Sequence, residues 1–216
     1  MNGPTLVLDL SSALYLGLVK DGRVLASRIR PQGTRGETAH ALLDECLAEA
    51  GTAPGDLASI CIGIGPGSFT GIRVCGAMAQ GLAFARKLPL YPFSSLAALE
   101  TALPAASEGA TAIAANAGRY YVRSGGVEAL LTADALAALA SPRTGLVVSG
   151  NFPDRDRLAP AFAAVIAFEE SVDFARLAAL ALAGEPIRDG VLRPNYLSAS
   201  AAEDKLRAGL LGKPGT

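Results

Sequence analysis

Apolar positions in the first thirty residues fall into three short runs. Thr5 to Leu10 is almost unbroken, interrupted by Asp9, and predicts a strand covered on both faces. Ala13 to Val19 follows, then Asp21-Gly22, a pair suited to a two-residue hairpin because both central residues of such a turn need positive φ. Arg23 to Ile29 alternates, with Val24, Ala26 and Arg28 on one side and Leu25, Ser27 and Ile29 on the other. Arg30 to Glu37 carries Pro31, Gly33 and Gly36 and reads as a loop. Ala39, Leu42, Leu43, Cys46, Leu47 and Ala50 then recur every three or four residues, the apolar stripe of a helix that stops at Gly51. After Pro54-Gly55, Ser59 to Ile64 predicts a buried strand. A glycine-rich turn leads into a second helix, Ile72 to about Lys87, closed by Pro89. Ile72, Gly76, Ala79 and Ala83 form a small-residue stripe on it, and Cys75, Met78, Leu82 and Ala85 a bulkier one. Leu90 to Phe93 is a short strand, and Ser94-Ser95 opens another helix.

Beyond Leu103 the pattern restarts in weaker form. Ala110 to Ala115 and Arg119 to Arg123 predict strands, with a Gly125-Gly126 turn after them. Thr132 to Ala140 predicts a helix capped by Thr132, and Gly145 to Ser149 a further strand. The apolar run Ala161 to Phe168 fits either a buried strand or a short helix, and Asp173 to Leu182 is an Ala/Leu helix. The order strand-strand-strand-helix-strand-helix thus occurs once clearly and once abbreviated. It implies two unequal α/β lobes: residues 1–103, and a smaller lobe with a C-terminal tail over 104–216.

Composition narrows the function classes. Half the residues are hydrophobic and mean hydropathy is +0.34, which excludes disorder for the bulk of the chain. Trp is absent and aromatics are 6%, so the core is built from aliphatic side chains. A net charge of −1 argues against a protein that grips nucleic-acid phosphate unaided. No apolar run approaches the roughly 18 residues needed to span a membrane, and Met1-Asn2-Gly3-Pro4 leads into no signal-peptide pattern. Cys46, Cys61 and Cys75 lack metal-ligand spacing and sit in apolar-periodic segments, as buried thiols in a reducing compartment do. A cytoplasmic protein without membrane association is expected.

Two segments have the residue types for anion chemistry. Asp9-Leu10-Ser11-Ser12 ends the first strand, where a carboxylate and hydroxyls can hold a metal-bound phosphate or satisfy their own turn. Gly65-Pro66-Gly67-Ser68-Phe69-Thr70-Gly71-Ile72-Arg73 opens the second helix, and its N–H groups can face an anion. It is no Walker A loop, and a tight structural turn explains it equally well. His40, the single histidine, falls on the flank of its helix; zinc sites needing two imidazoles and Ser/His/Asp catalysis are excluded with it. Arg119-Tyr120-Tyr121-Val122-Arg123 reads as a half-exposed strand and Asp154-Arg155-Asp156-Arg157 as a solvated charge run.

Taken in order, Leu8-Asp9-Leu10-Ser11-Ser12, the Asp21-Gly22 hairpin, Leu42-Leu43-Asp44-Glu45, Ala48-Glu49-Ala50-Gly51 and Gly63 to Arg73 resemble the TsaB (YeaZ) family. Ala79-Gln80-Gly81-Leu82-Ala83 and Phe93-Ser94-Ser95-Leu96-Ala97-Ala98-Leu99 continue the likeness, and Pro194-Asn195-Tyr196-Leu197 is a fragment of it near the end. The chain departs from the family at Arg35-Gly36-Glu37, where His-Ser-Glu is common, at Gln80 for lysine, and at Asn116-Ala117-Gly118-Arg119 in the second lobe.

The resemblance implies an α/β fold of the actin/Hsp70/sugar-kinase (ribonuclease H-like) type: two lobes with mixed sheets, the second lobe reduced. It implies a non-catalytic, dimerising subunit of the complex that adds threonylcarbamoyl to N6 of the adenosine 3′ of the anticodon, in tRNAs reading codons that begin with A. The implied partners are a TsaD-like catalytic subunit and a TsaE-like ATPase, with tRNA met only through the complex and a homodimer formed when the partner is absent. No cofactor is expected on this subunit; ATP, threonylcarbamoyl-AMP and metal belong to the partners. The metal-binding His-x-x-x-His of TsaD falls at Ser95 and Leu99 here. The low-charge surface leads to an expectation of negligible tRNA affinity for the chain alone.

The resemblance places the partner interface on the two first-lobe helices, with Ala39, His40, Leu43, Leu47, Gly76, Ala79 and Ala83 as the expected contacts. The bulky Cys75/Met78/Leu82 stripe then covers the sheet and the small stripe faces the partner, the opposite assignment remaining open. The rival class is a small-molecule kinase or ATPase of the same superfamily. It would use Asp9 and Ser11 at phosphate and would require an adenosine-binding element in the second lobe.

Overall fold

The computed structural model describes residues 3–30, 36–104, 109–188 and 190–197. The loop expected at Arg30 to Glu37 lies mostly outside the described residues.

The first three apolar runs form an antiparallel meander of β1 (Thr5–Asp9), β2 (Leu14–Lys20) and β3 (Arg23–Arg30), turning on Asp21 and Gly22, both at positive φ. Helix α1 (Gly36–Glu49) returns the chain to β4 (Ser59–Gly63), parallel to β1. Helix α2 (Phe69–Arg86) leads to β5 (Leu90–Phe93), parallel to β4, and α3 (Ser95–Leu99) follows. The strand order of this sheet is β3-β2-β1-β4-β5.

The second lobe repeats this path. Strands β6 (Gly109–Ala114), β7 (Arg119–Ser124) and β8 (Val127–Thr132) form the meander. Helix α4 (Ala133–Ala137), β9 (Gly145–Ser149), α5 (Arg155–Leu158), β10 (Ala164–Ala167) and α6 (Phe174–Leu182) complete it. Read from its meander edge, the second sheet is β8-β7-β6-β9-β10, the same order with the same strand directions as the first. The repeat is complete rather than abbreviated in strands, and its economy lies in helices of four and five residues where the first lobe has fourteen and eighteen. The fold is the two-lobed actin-like, ribonuclease H-like α/β fold expected above.

Strand periodicity builds three cores. On the outer face of the first sheet, Leu6, Leu8, Leu16, Leu18, Ile60 and Ile62 pack against α1 and α2. On the outer face of the second, Ala110, Ala112, Val122, Leu146 and Val148 pack against Leu136, Phe152, Leu158 and Phe162. The middle core joins the lobes: Val7, Tyr15, Val19 and Cys61 share it with Ile113, Tyr121, Val147 and Phe168. The last helix of each lobe crosses over. Helix α3 packs on the strands β6, β7 and β9, and α6 on β1, β2, β4 and β5. The break expected at residue 103 thus separates the two sheets in sequence, while the helices exchanged across it bind the lobes into one packed body.

Candidate functional site at the lobe junction

Ligands of open α/β sheets bind at the carboxyl ends of the strands, where the connections diverge. In the first sheet that point lies between β1 and β4, whose ends carry Asp9 and Gly63. A Cβ at Gly63 would overlap the Asp9 carboxyl group, so glycine is what allows Asp9 to lie across the sheet end. Asp9 is buried; its Oδ1 accepts from the Ser11 N–H at 2.7 Å. Burial pushes its carboxyl above the usual 3.8, and hydrogen bonds from the Ser95 side chain and the Ser11 N–H offset part of that rise.

The glycine-rich segment folds back on the Asp9 turn. The Ser68 N–H donates to the Ser11 carbonyl at 2.6 Å, the Gly71 N–H to Ser68 Oγ at 3.2 Å, and the Gly65 N–H to Ser95 Oγ at 3.1 Å. Side chains at Gly67 and Gly71 would overlap the backbone of Ser11 and Leu10. Ser68 is thereby the N-cap of α2, and Ser95 Oγ, by accepting from the Gly65 N–H, holds the start of the loop. These donors are spent on protein acceptors, which is the tight-turn reading of the segment. The structure therefore brings Asp9, Ser11, Gly65, Gly67, Ser68 and Gly71 together as one packed unit, with Ser12 at its border. Thr70 and Arg73 point outward, the Arg73 guanidinium lying 4.0 Å from the centroid of the Phe69 ring. Ser11 Oγ is buried and has no hydrogen-bond partner within the protein.

A second cluster, invisible in the sequence apart from Ser12, closes the junction between lobes. Glu169 Oε1 accepts from Tyr15 Oη at 2.7 Å, Ser149 Oγ at 2.8 Å and the Gly150 N–H at 2.7 Å. Ser12 Oγ meets Ser149 Oγ at 2.6 Å, and Tyr15 Oη also contacts Ser149 Oγ. Ser12 and Tyr15 belong to the first lobe, Ser149, Gly150 and Glu169 to the second. Burial, reinforced by the Glu169 charge, pushes the Tyr15 phenol far above its usual value and keeps it a donor. Tyr15 and Glu169 are separated by 154 positions, and no local pattern announces that pairing.

The helix faces differ from expectation. Ala39, Leu43, Leu47, Gly76, Ala79 and Ala83 are all buried inside the first lobe, and of the seven expected interface residues His40 is the exposed one. Cys75 and Met78 do cover the sheet, but α2 has more than one neighbour. Its small stripe is buried as well, with Leu192 packed against Gly76. The outward surface of the two helices is made by Thr38, His40, Ala41, Asp44, Arg73, Ala77, Gly81 and Phe84, the last 90% exposed. Among the described residues, no group of three or more His, Cys, Asp or Glu side chains is placed to hold a metal, and no helix is long and apolar enough to cross a membrane. An open depression lined by Gly3, Lys20, Leu25, Thr52 and Asp56 lies at the amino ends of β1 and β4, away from the switch point.

The family model described as TsaD, tRNA N6-adenosine threonylcarbamoyltransferase, matches residues 36–151. The tRNA threonylcarbamoyladenosine biosynthesis protein TsaB of Haemophilus influenzae is 46% identical over 61 residues, 28% of this chain and 26% of that protein. TsaB of Bacillus subtilis is 34% identical over 100 residues, 44% of this chain and 42% of that protein. The matches thus span less than half the length of these curated relatives. Among solved structures, YeaZ from Pseudomonas aeruginosa superposes with a TM-score of 0.70 at 28% identity, covering 90% of this chain and 100% of that one. The chain belongs to the family described by the TsaD model, and its likenesses among curated proteins and solved structures are to TsaB and YeaZ.

Proposed function

We propose that the chain is a non-catalytic scaffold subunit in the synthesis of threonylcarbamoyladenosine on tRNA, docking a TsaD-like catalytic subunit of its own fold. The observation that carries this reading is the closed junction. Where a nucleotide-using relative needs free N–H groups for phosphate, Ser11, Ser68, Gly71 and Gly65 donate to the protein itself, and Glu169 draws the second lobe against Tyr15. ATP, threonylcarbamoyl-AMP and metal then belong to the partners, with a TsaE-like ATPase as a further component and tRNA bound through the assembly. The docking surface in this reading is the outward face of α1 and α2 centred on Phe84; the same face pairs two copies when TsaD is absent. Depleting the protein and measuring threonylcarbamoyladenosine in bulk tRNA by mass spectrometry tests the role. An unchanged level rejects it.

A second reading, a small-molecule kinase or ATPase, has one observation in its favour: the unpartnered Ser11 hydroxyl beside the buried Asp9. ATP hydrolysis by the purified chain alone, lost in Ser11→Ala, would favour this enzyme.

A further inference from the structure

After α6 the described residues, up to 188 and over 190–197, return to the first lobe as a strap without helix or strand. The Ile187 N–H donates to the Leu90 carbonyl at 2.8 Å, and Gln80 Nε2 donates to the Gly190 carbonyl at 3.1 Å. Leu192 packs against Gly76, and the Tyr196 ring stacks on Phe69 at 4.6 Å between centroids. As the strap advances from 190 to 196, its partners on α2 run back from Gln80 to Phe69, so the strap lies antiparallel to that helix. A side chain at position 76 would displace Leu192, which gives the glycine a task that partner binding does not.

The strap ends at a contact between lobes. The Asn195 N–H donates to the Ile64 carbonyl at 2.8 Å, at the end of β4, while its Nδ2 donates to Glu128 Oε2 at 2.7 Å in β8 of the opposite lobe. The other oxygen of Glu128 accepts from Ser94 Oγ, the N-cap of α3, and from Arg123 Nη1 at 3.4 Å. Arg123 Nε in turn holds Glu100 at 2.9 Å. The Glu128 side chain is only 14% exposed, so water competes weakly for these bonds. One carboxylate from the second lobe therefore gathers the strap, which lies on the first lobe, and the cap of α3, the first-lobe helix that packs on the second sheet.

We propose that residues 187–188 and 190–197 act as an interlobe clasp, in which Asn195 ties the end of β4 to Glu128 and the strap fixes the angle between the lobes. The clasp ties the lobe junction at the β8 side, while the Tyr15–Glu169 cluster ties it at the strand ends. The α1/α2 surface and the second lobe are then presented as one rigid body.

The test uses the full chain with spin labels on Ala48→Cys in α1 and Ala138→Cys after α4, both exposed, while Cys46, Cys61 and Cys75 are buried. The unmodified clasp should give one narrow distance between labels. Asn195→Asp sets a second carboxylate against Glu128, and Asn195→Ala removes the contact without adding charge; each should broaden or split the distribution. Combining Asn195→Asp with Glu128→Gln exchanges donor and acceptor and should restore the narrow distance. A distribution unchanged in both single variants would overturn the clasp. So would broadening that the exchanged pair does not reverse, because the lobe angle would then depend on something other than this contact.

Discussion

Tyr15 is buried and presents its hydroxyl to the partly buried Glu169, so removing that hydroxyl leaves this acceptor short of one donor. Hydrogen bonds to charged groups are worth about 1.5–3 kcal/mol. Tyr15→Phe should lower the free energy of unfolding by that amount in urea titrations with an unchanged helix content. A loss below about 0.5 kcal/mol, the range of surface changes, would mean the cluster is not a lobe contact in solution. Asp9 gives a test by pH. Its folded carboxyl is raised above 3.8, so the folded chain holds a proton that the unfolded chain has released. Stability then falls as pH rises from 3.8 through the folded value, and the contribution of Asp9 is best below 3.8. Asp9→Asn should flatten that part of the stability–pH curve; equal slopes in both proteins would contradict a buried, raised carboxyl. Asp9, Ser11 and Ser12 stand out in the sequence because a carboxylate and hydroxyls interrupt an apolar strand end. Glu169 does not, since its neighbours Phe168 and Glu170 give it the look of any loop acid.

At the scale of elements, α1, α2 and the first five strands are legible because their periodicity is strong and their ends carry Gly51, Ser68 and Pro89. β8 is not: it is an edge strand whose residues are mostly half-buried, so Val127–Thr132 lacks the contrast on which an alternation pattern depends. The orientation of α2 was hidden for a different reason. A helix between a sheet, a second helix and a strap buries more than one stripe, and neither stripe identifies which neighbour covers it. Phe84 is the side chain left over, 90% exposed on a helix otherwise smooth with Ala77, Gly81 and Ala85. Phe84→Ala should leave unfolding stability within about 0.5 kcal/mol, as for an exposed position. Binding to a TsaD homologue, read by titration calorimetry, should weaken by about 10- to 30-fold, as expected on truncating an aromatic anchor. Unchanged affinity would move the docking surface off this face. His40, exposed on α1, is a less sensitive probe because it is polar and lies on that helix's flank.

At the scale of the molecule, the sheet order repeats strand for strand, yet neither half is self-sufficient. The inner face of the first sheet is covered by Phe174, Leu177, Ala178 and Ala181 of α6, and the second sheet receives Leu96 and Leu99 of α3. A fragment of residues 1–103 keeps its outer core but bares Val7, Val19 and Cys61. It should therefore aggregate or lack a cooperative melt, while the full chain unfolds in one transition; a monomeric fragment melting cooperatively by circular dichroism would contradict this. The same exchange of helices bears on how the protein is born. Phe174 follows the last strand of the first sheet by about 80 residues, so at roughly 5–20 residues per second a ribosome adds about 4–16 s between completing that sheet and supplying its cover. Through that interval the nascent chain carries a finished sheet with one apolar side open, the kind of surface that a chaperone holds and that a neighbouring nascent chain can capture.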